Sequence, residues 1–387
     1  MAQRVEDRSI GEAVELLKEN GFAGLAEAVT VLLDAAMVAE RSDYLGAAPY
    51  ERSATRIGYA NGFKDKVLKT RLGRMSLRVP QTRDGEFYPR SLEKGLRSER
   101  ALLLAIAEMY VQGVSTRRVK KIVEELCGMA VSSTQVSRAA AQLDELLEAW
   151  RQRDLGRYRY VVLDAQYEKV RQGGQVLDAA VLLACGVDAN GRRDVLGCSI
   201  SLSEAEVHWR SFLCELKDRG LHGIELIVSD AHEGLQAARK AIFPSVPWQR
   251  CQFHLQQNAG HYVPSQTLRG VVAADIRAIF NAPDQEEARH LLAKFLKRYQ
   301  QSAPKLADWA EENLPQGFTV FSFPASHRRR LRTTNLLERL NEEIRRRTRV
   351  ARLFPNEASC LRLVTAIVME IAEDWQTAER RYLTFHD

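Results

Sequence analysis

Three features that would assign the chain to a particular class are absent from its sequence. It has six cysteines, and they lack the close, regular spacing of a secreted disulfide scaffold. The first residues, MAQRVEDRSI, are charged and contain no apolar segment like that of a signal peptide. No uninterrupted apolar run approaches the roughly 20 residues that span a bilayer. The sequence therefore predicts reduced thiols in a cytoplasm, with neither secretion nor membrane insertion.

A strong charge of one sign is also absent. The chain has 56 basic and 50 acidic residues, a formal net charge of +6, and this excess alone does not indicate a nucleic-acid partner. Its 387 residues, of which 45% are hydrophobic, are enough for two or three domains with real cores. We therefore expect a multidomain globular protein.

The N-terminal segment, residues 1–44, is predicted to be helical. Apolar residues recur at helical spacing over residues 10–39 and are interrupted near Gly21, which indicates two short amphipathic helices. Such helices either pack within the chain or dimerise the protein, and both interpretations stay open.

Residues 45–97 are rich in glycine, proline and arginine. Within them, Met75, Leu77 and Val79 alternate with polar residues, as in a short strand. We expect a small basic DNA-binding module or a linker here.

Residues 98–155 have helical periodicity with a break at residues 127–131, which predicts two helices joined by a short turn. Such a pair is typical of a helix-turn-helix, whose second helix enters the DNA major groove. A plain helical hairpin in a bundle fits the same pattern. If the segment binds DNA, the side chains expected to reach bases or phosphates are Gln135, Ser137 and Arg138.

The pattern changes after Gly156. Three β-rich segments follow, the last two separated by the turn sequence DANG at residues 188–191, and predict an antiparallel meander. A helix, a strand ending in Asp230, another helix and a short apolar segment complete the order β-β-β-α-β-α-β. This order predicts an α/β fold with a ribonuclease H-like catalytic domain, whose first part spans residues 156–259.

Residues 260–325 are mainly helical by pattern and too long for an ordinary loop, so we expect a helical insertion after the fifth strand. Residues 326–387 contain two more helical segments, separated at Phe354-Pro355. They form the second part of the catalytic domain and supply its final helix.

Two carboxylates are predicted to meet in this domain. Asp164 lies in the middle of the first strand, YVVLDAQY, where an ionised carboxylate is costly to bury unless it is paired or metal-bound. Asp230 ends the fourth strand, which this topology places beside the first. Neighbouring carboxylates repel each other unless a cation lies between them, and Mg²⁺ favours carboxylate oxygens. We therefore expect a divalent-metal site, although Asp230 taken alone also fits a turn former or helix cap.

A third carboxylate is expected on the helix after the insertion, TTNLLERLNEEIRRRTR. Glu338 lies on its polar stripe, and Glu342 and Glu343 are rival candidates on periodicity alone. The arginines that follow are suited to binding phosphates beside an acidic metal centre: Arg345, Arg346, Arg347 and Arg349. Seen in isolation, the same run also fits a solvent-exposed charged face.

Four motifs carry a resemblance to a known family. VVLDAQYEKVR, LIVSDAHEGL, WQRCQFHLQQN and TTNLLERLNEEIRRRTRVARLFPNEASCLRLV resemble those of the Mutator-type transposases of prokaryotic insertion sequences, members of the DDE group. The resemblance covers nearly the whole chain and implies that Asp164, Asp230 and Glu338 are catalytic and bind two Mg²⁺ ions, for which Mn²⁺ can substitute. The third motif contains a family signature, Cys251 and His254. We expect these two to have a structural or DNA-positioning role near the active centre, with ordinary core packing as the alternative.

The resemblance also implies an activity and partners. Such a transposase cleaves phosphodiesters at the terminal inverted repeats of its element and joins the 3′-hydroxyl ends to target DNA. It would work on double-stranded DNA in a prokaryotic cytoplasm, near the nucleoid, as a homodimer or higher oligomer because two ends are processed together. Two rivals fit part of the pattern: a nuclease or junction resolvase on the same fold, and a DNA-binding regulator that uses the helix-turn-helix.

Overall fold

The computed structural model describes residues 2–92, 94, 98–141, 143–349, 353–378 and 381–385. Tertiary contacts divide the chain into two compact units, residues 1–142 and residues 143–387. The first unit combines helices with a two-stranded hairpin, and the second is a mixed α/β domain.

The N-terminal unit begins with two helices that meet at a short 3₁₀ turn, Gly21–Gly24, as predicted from the break near Gly21. Gly21 has a φ of 56°, a conformation that glycine adopts without steric cost. The elements of the unit are α1 (Ala2–Asn20), α2 (Leu25–Leu45), β1 (Ala60–Thr70), β2 (Gly73–Thr82), α3 (Arg100–Val111), α4 (Thr116–Cys127) and α5 (Ser133–Ala141).

The β1–β2 hairpin packs against α2. Met75, Leu77 and Val79 are buried on one face of β2, which confirms the predicted alternation, and Met37 of α2 belongs to the same cluster. The Asp34 carboxylate of α2 accepts a hydrogen bond from the Arg78 backbone N–H at 2.9 Å. Within the helical stretch Arg8–Leu45, an 18-residue window has a mean hydropathy of 1.7 and could cross a membrane by length and composition alone. In this structure the buried residues of that stretch include Met37, which packs on the hairpin.

Helices α3, α4 and α5 share a small core that contains Ile106, Val119 and Val136. The Ser115 hydroxyl caps α4 by accepting from the Arg118 backbone N–H, and Gly128 ends it at a φ of 61°. The predicted pair of helices with a glycine turn is therefore present. The second helix is shorter than expected, because α5 ends at Ala141.

The C-terminal unit begins with α6 and contains the larger sheet. Its elements are α6 (Asp144–Arg151), β3 (Tyr158–Gln172), β4 (Gln175–Asp188), β5 (Arg193–Ser201), α7 (Glu206–Asp218), β6 (Leu226–Ser229), α8 (Glu233–Ile242), β7 (Trp248–Arg250), α9 (Gln252–Ala259), α10 (Gln266–Phe280), α11 (Gln285–Tyr299), α12 (Pro304–Asn313), α13 (Ala325–Leu331), α14 (Asn335–Thr348) and α15 (Glu357–Thr377). Helix α6 packs on α15, where Arg362 forms two hydrogen bonds with Asp144. The segment 98–155, predicted as one domain, is therefore divided between the two units.

The five strands lie in the order β5-β4-β3-β6-β7. Strands β3, β4 and β5 are antiparallel, while β6 and β7 run parallel to β3. The β4–β5 turn forms as predicted, because the Asp188 carboxylate accepts from the backbone N–H groups of Asn190 and Arg192. The expected neighbourhood of the first and fourth strands of the sheet is confirmed by the pairing of Val162 with Val228.

The two faces of β3 meet different layers. Val161 and Leu163 face a core formed with α7 and α8, which contribute Trp209 and Leu235. Since successive residues of a strand point to opposite faces, Asp164 lies on the other face, and its contact there is with α14. The alternation of β3 therefore presents Asp164 to the helix that carries the third candidate carboxylate.

Between β7 and α14 the chain forms a helical subdomain, as expected for the insertion. Helices α9 to α12 share a core of their own, in which Leu255, Ile276, Phe295 and Leu306 are buried. The first and last residues of this subdomain lie together beside the sheet, where the Gln252 backbone N–H donates a hydrogen bond to the Arg332 carbonyl at 2.9 Å.

Candidate active site

Asp164 is a half-buried carboxylate in a strand of the sheet. Its pKa is raised to about 6, first because burial disfavours the charged form. The negative charge of Asp230 raises the pKa as well, whereas His254 and the Asn341 amide lower it. The structure therefore brings the two predicted aspartates together, and their repulsion is only partly offset by protein groups.

Asp230 follows directly after β6, at the carboxyl end of the strand. Its carboxylate accepts a hydrogen bond from the His232 backbone N–H at 3.1 Å, and its carbonyl accepts from the Gln236 amide at 3.1 Å. These bonds fix the turn into α8. Asp230 thus forms the turn, which was the alternative role expected from its position after a strand. Its negative charge also acts on Asp164.

Helix α14 lies along β3 and contacts the same face at two points. The Asn341 amide donates to the Asp164 carboxylate at 2.8 Å, and the Thr348 hydroxyl donates to Glu168 at 2.9 Å. Asp164 and Glu168 are four residues apart in the strand, so both point to one face. These contacts set the position of the helix relative to the sheet.

Glu338 lies in the first turn of α14, between two anchored positions. Asn341, three residues later, bonds Asp164, and Thr334, just before the helix, bonds the Cys251 sulfur through its N–H at 3.4 Å and its hydroxyl at 3.6 Å. Glu338 is half-buried. Among the described residues, no three His, Cys, Asp or Glu side chains lie close enough to hold one metal ion. Glu338 therefore lies on a helix that is bonded to Asp164. Within the part of the chain that the structure describes, it does not form a closed ligand cluster with the two aspartates.

The rival acid Glu343 is engaged elsewhere. It binds Arg346 and Arg347, and these interactions, that with Arg346 foremost, lower its pKa to about 2. Arg347 is buried and also binds Glu370 of α15 at 2.6 and 2.9 Å. We expected Arg347 at a DNA surface. It instead links α14 to α15, because its two bonding partners, Glu343 and Glu370, are acidic. Arg345 and Arg349 are exposed at the end of the helix.

The signature pair Cys251 and His254 lies where the sheet meets α14. The Cys251 N–H donates to the Ser229 carbonyl at 2.7 Å, next to Asp230. Burial alone would raise the pKa of the Cys251 thiol, but His254 and Thr334 outweigh it and the pKa is lowered. The pKa of His254 is raised to about 9, first by its interaction with Cys251 and further by the two aspartates. The raised pKa favours the protonated imidazole, whose positive charge partly balances the negative charge of the site.

Several polar atoms near Asp164 lack partners among the described residues. They are both amide atoms of Gln166, two residues along β3, the Oδ1 atom of Asn341 and the Nδ1 atom of His254. Buried oxygen atoms without donors are costly, and here they accompany two carboxylates. Such an oxygen-rich set matches the ligand preference of Mg²⁺ or Mn²⁺. The residues present therefore fit the divalent cation that the sequence implies.

The predicted DNA-contacting residues of α5 differ in their local roles. Gln135 is half-buried, and its side-chain oxygen accepts from the Ser132 N–H at 2.9 Å while the Ser132 hydroxyl caps Gln135. This reciprocal pair is a capping box, so the carbonyl side of the amide is already used. Ser137 and Arg138 are exposed. Their contact with DNA stays a prediction.

Sequence reasoning did not assign a role to the residues that assemble the site. Asn341 lies on the same polar stripe as Glu338, but the stripe alone did not indicate its bond to Asp164, and the interaction of Thr334 with Cys251 was not anticipated. Thr334 and Cys251 are 83 residues apart, so no local periodicity relates them. A polar residue one turn after Glu338 on the same face was the available signal for Asn341.

The fold and the site together define a mixed α/β protein with two adjoining carboxylates on a sheet and a third on a helix docked against it. The family model of the Mutator transposases matches residues 5–378. The transposase for insertion sequence element IS406 of Burkholderia multivorans is 56% identical over 388 residues, which cover all of both chains. The chain belongs to the Mutator family of transposases.

Two further similarities extend the comparison. The transposase for IS256 in transposon Tn4001 of Staphylococcus aureus is 38% identical over 362 residues, 92% of each chain. Among solved structures, a chain of the simian T-cell lymphotropic virus intasome in complex with a PP2A regulatory subunit matches 53% of this chain and 64% of its own length. Its identity is 12% and its TM-score 0.18, which is too low to support an argument about the fold.

Proposed function

We propose that the protein is the transposase of an insertion sequence, cleaving phosphodiesters at the element's terminal repeats and joining the freed 3′-hydroxyls to target DNA. The observation that carries the proposal is the pair of Asp164 and Asp230, one half-buried with its pKa raised to about 6 and the other beside it. A protein that merely binds DNA has no need of adjoining carboxylates near phosphates.

In this proposal the catalytic domain is ribonuclease H-like. The order β5-β4-β3-β6-β7, with three antiparallel strands and two parallel ones, supports it. The three helices α3 to α5, with Ser115 capping α4 and a glycine turn before α5, support a helix-turn-helix. Double-stranded DNA is the partner, and the active form is at least a dimer because two ends are processed together.

Asp164, Asp230 and Glu338 would hold two Mg²⁺ ions through their carboxylate oxygens. When bound, the ions supply Lewis-acid activation of water and neutralise charge on the phosphoryl group. Asn341 orients the Asp164 carboxylate through its hydrogen bond and keeps α14 against β3. His254 contributes a positive charge that limits repulsion between the aspartates. The exposed Arg345 and Arg349 are placed to bind DNA phosphates at the end of α14.

The test is cleavage and strand joining on DNA that carries the element's terminal repeats, in Mg²⁺, with wild type and Asp230→Asn. We expect joined product from the wild type and none from the variant, with DNA binding retained. Asp178→Asn is a matched control, since Asp178 is an exposed strand aspartate paired with Lys169. A wild type that cleaves but never joins 3′-hydroxyl ends would instead identify a nuclease. Equal products from wild type and Asp230→Asn would refute the carboxylate mechanism.

A further inference from the structure

A basic cavity lined by aromatic rings lies in the N-terminal unit. It has a volume of about 860 Å³ and is formed by the end of α2, the following loop and the start of the hairpin. Its lining includes Tyr50, Tyr59, Phe63, Arg41, Arg56 and Arg83. Cavities of this size, on the order of 300–1,000 Å³, are typical of sites for small ligands or single groups of a larger one.

Two of the aromatic rings in the cavity are unusually exposed. Tyr50 is fully exposed, at 102%, and Tyr59 is 61% exposed. Tyr50 also has a φ of 62°, in a left-handed conformation that costs energy for any residue with a side chain. Packing does not account for an exposed ring on a strained backbone. The Tyr50 ring is available to stack with a planar group, and a group that stacks on Tyr59 would share that ring with its neighbouring arginines.

The arginines around the rings are held in place. The guanidinium of Arg41 bonds the Gly62 carbonyl at 3.1 Å and lies 5.0 Å from the centre of the Phe63 ring. Those of Arg56 and Arg83 lie 5.7 and 5.5 Å from the centre of the Tyr59 ring. A cation that is already stacked on a ring loses little freedom when an anion binds. This arrangement therefore preorganises positive charge beside the aromatic surface.

The charge of the cavity is one-sided. Arg41, Arg52, Arg56 and Arg83 line it, and among the described lining residues the acidic one is Glu51, whose carboxylate accepts from the Ala48 N–H at 2.7 Å. Arg56 is engaged with the carbonyls of Ala48 and Glu51. Arg52 and Arg83 are exposed and belong to the lining of the cavity. Positive charge combined with exposed rings is the surface that unpaired nucleotides bind, through phosphates and base stacking.

We propose that this cavity binds an unpaired nucleotide of the DNA substrate, with its base stacked on Tyr50 or Tyr59 and its phosphate bound by Arg52 and Arg83. The inference rests on the proposed function and specifies which part of the DNA the N-terminal unit takes. A duplex is too wide to enter a cavity of this volume, so the ligand is a base that has left the helix or lies in a single strand. Such a site discriminates distorted or frayed DNA from intact duplex.

The experiment compares two DNAs with the full chain in the absence of divalent metal, so that no cleavage occurs. One is an intact duplex, and the other is the same duplex with one bulged 2-aminopurine. We expect the wild type to bind the bulged DNA more tightly and to quench the 2-aminopurine fluorescence by stacking. Tyr59→Ala is expected to weaken binding of the bulged DNA by on the order of tenfold, with duplex binding unchanged.

Two further variants keep the test independent of folding and of charge in general. Tyr50→Gly removes the ring and relieves the left-handed backbone, so it is expected to fold normally and to lose quenching. Arg83→Ala is expected to lower the salt dependence of binding the bulged DNA by roughly one counterion. Arg74→Ala and Phe22→Ala are the controls, since both residues are exposed in the same unit and lie outside the cavity.

The outcomes separate the two proposals. Selective loss of bulged-DNA binding in Tyr50→Gly, Tyr59→Ala and Arg83→Ala, but not in the controls, supports the cavity as the nucleotide site. Equal loss for both DNAs, or equal effects of the control variants, overturns this inference and leaves the transposase proposal intact. Absence of binding to either DNA by the wild type overturns both.

Discussion

Asp164 and Asp194 are two shielded carboxylates on the same sheet with opposite surroundings. Asp194, on β5, is buried; it accepts a hydrogen bond from the Tyr158 hydroxyl at 2.8 Å and pairs with Arg153 at 3.3 Å. Asp164, on β3, accepts from a neutral amide and faces a second acid. The protein thus satisfies one carboxylate with its own groups and leaves the other under-compensated. This difference is the physical basis for proposing Asp164, and not Asp194, as a cation ligand.

Two acids of helix α14, Glu343 and Glu338, differ in the same way as Asp194 and Asp164. Glu343 is bound by two arginines and is part of the link to α15, whereas no ion pair of Glu338 is recorded among the described residues. The two acids are five residues apart on one helix and therefore lie on different faces of it. Their surroundings differ for this reason. Glu343 points to the arginines, and Glu338 lies between the contacts of Thr334 and Asn341.

The largest effects are expected from Asp164→Asn and Asp194→Asn. The first variant should lose DNA cleavage but not stability, and the second should lose stability. Asp164→Asn should lower DNA cleavage by at least about a thousandfold, because several kcal/mol of metal-based stabilisation are lost, with folding stability unchanged or increased. Asp194→Asn should cost about 2 kcal/mol of stability, because Arg153 loses its charged partner. Chemical denaturation and single-turnover cleavage measure the two effects. A large stability loss in Asp164→Asn would contradict the comparison.

The next effect concerns the acids of α14. Glu338→Gln should lower cleavage by roughly a hundredfold or more while the thermal midpoint stays close to that of the wild type. Glu343→Gln should keep cleavage and lower the thermal midpoint, because Arg347 is buried and loses one of two acidic partners. The same pair of assays decides the point. Loss of cleavage in Glu343→Gln but not in Glu338→Gln would reverse the assignment.

A smaller effect is expected at Cys251, which connects β6 to the start of α14. Cys251→Ala removes the acceptor of both Thr334 bonds and should lower kcat by about 10- to 100-fold with little change in KM for DNA, as is usual when an outer partner of a metal ligand is lost. Cys251→Ser keeps a hydrogen-bonding atom and should restore most of kcat. Failure of serine to rescue would show that the sulfur atom itself, and not the position of α14, is required.

The last effect is a pH dependence of stability, which needs no change in the sequence. The native pKa of Asp164 is raised to about 6, above that of an unfolded aspartate near 4. Between these values the native state holds a proton that the unfolded state has lost, so stability falls as pH rises from about 4 to about 6. A difference of about two pKa units corresponds to about 3 kcal/mol, and the change should be absent in Asp164→Asn. Identical pH profiles for the two proteins would contradict the raised pKa.

The sequence predicted most of the framework because its signals are local. The β-β-β-α-β-α-β order, the turn at residues 188–191 and the alternation of Met75, Leu77 and Val79 depend on neighbours within a few residues. The break after Ala141 was missed, because the helical periodicity of α5 continues into α6 while α6 packs against α15 in the other unit. Tertiary packing overrode the pattern there.

The candidate site divides in the same way. Asp164 and Asp230 were predictable because a charged residue in an apolar strand and an acid at a strand end are visible in the sequence. The engagement of Arg347 was not, since its partner Glu370 is 23 residues away on another helix. A run of arginines looks uniform in the sequence, yet Arg347 is buried and Arg345 is exposed. Only the packing of α14 on α15 distinguishes them.

The helical insertion has a consequence for the order in which the centre forms during folding. Cys251 and Thr334 are 83 residues apart, and closing so long a loop in a disordered chain costs conformational entropy. The insertion has its own core, however, and its two ends lie together where the Gln252 N–H donates to the Arg332 carbonyl. We therefore expect Glu338 to join Asp164 and Asp230 last, so that a nascent chain completes its DNA-cutting centre only after the insertion has folded.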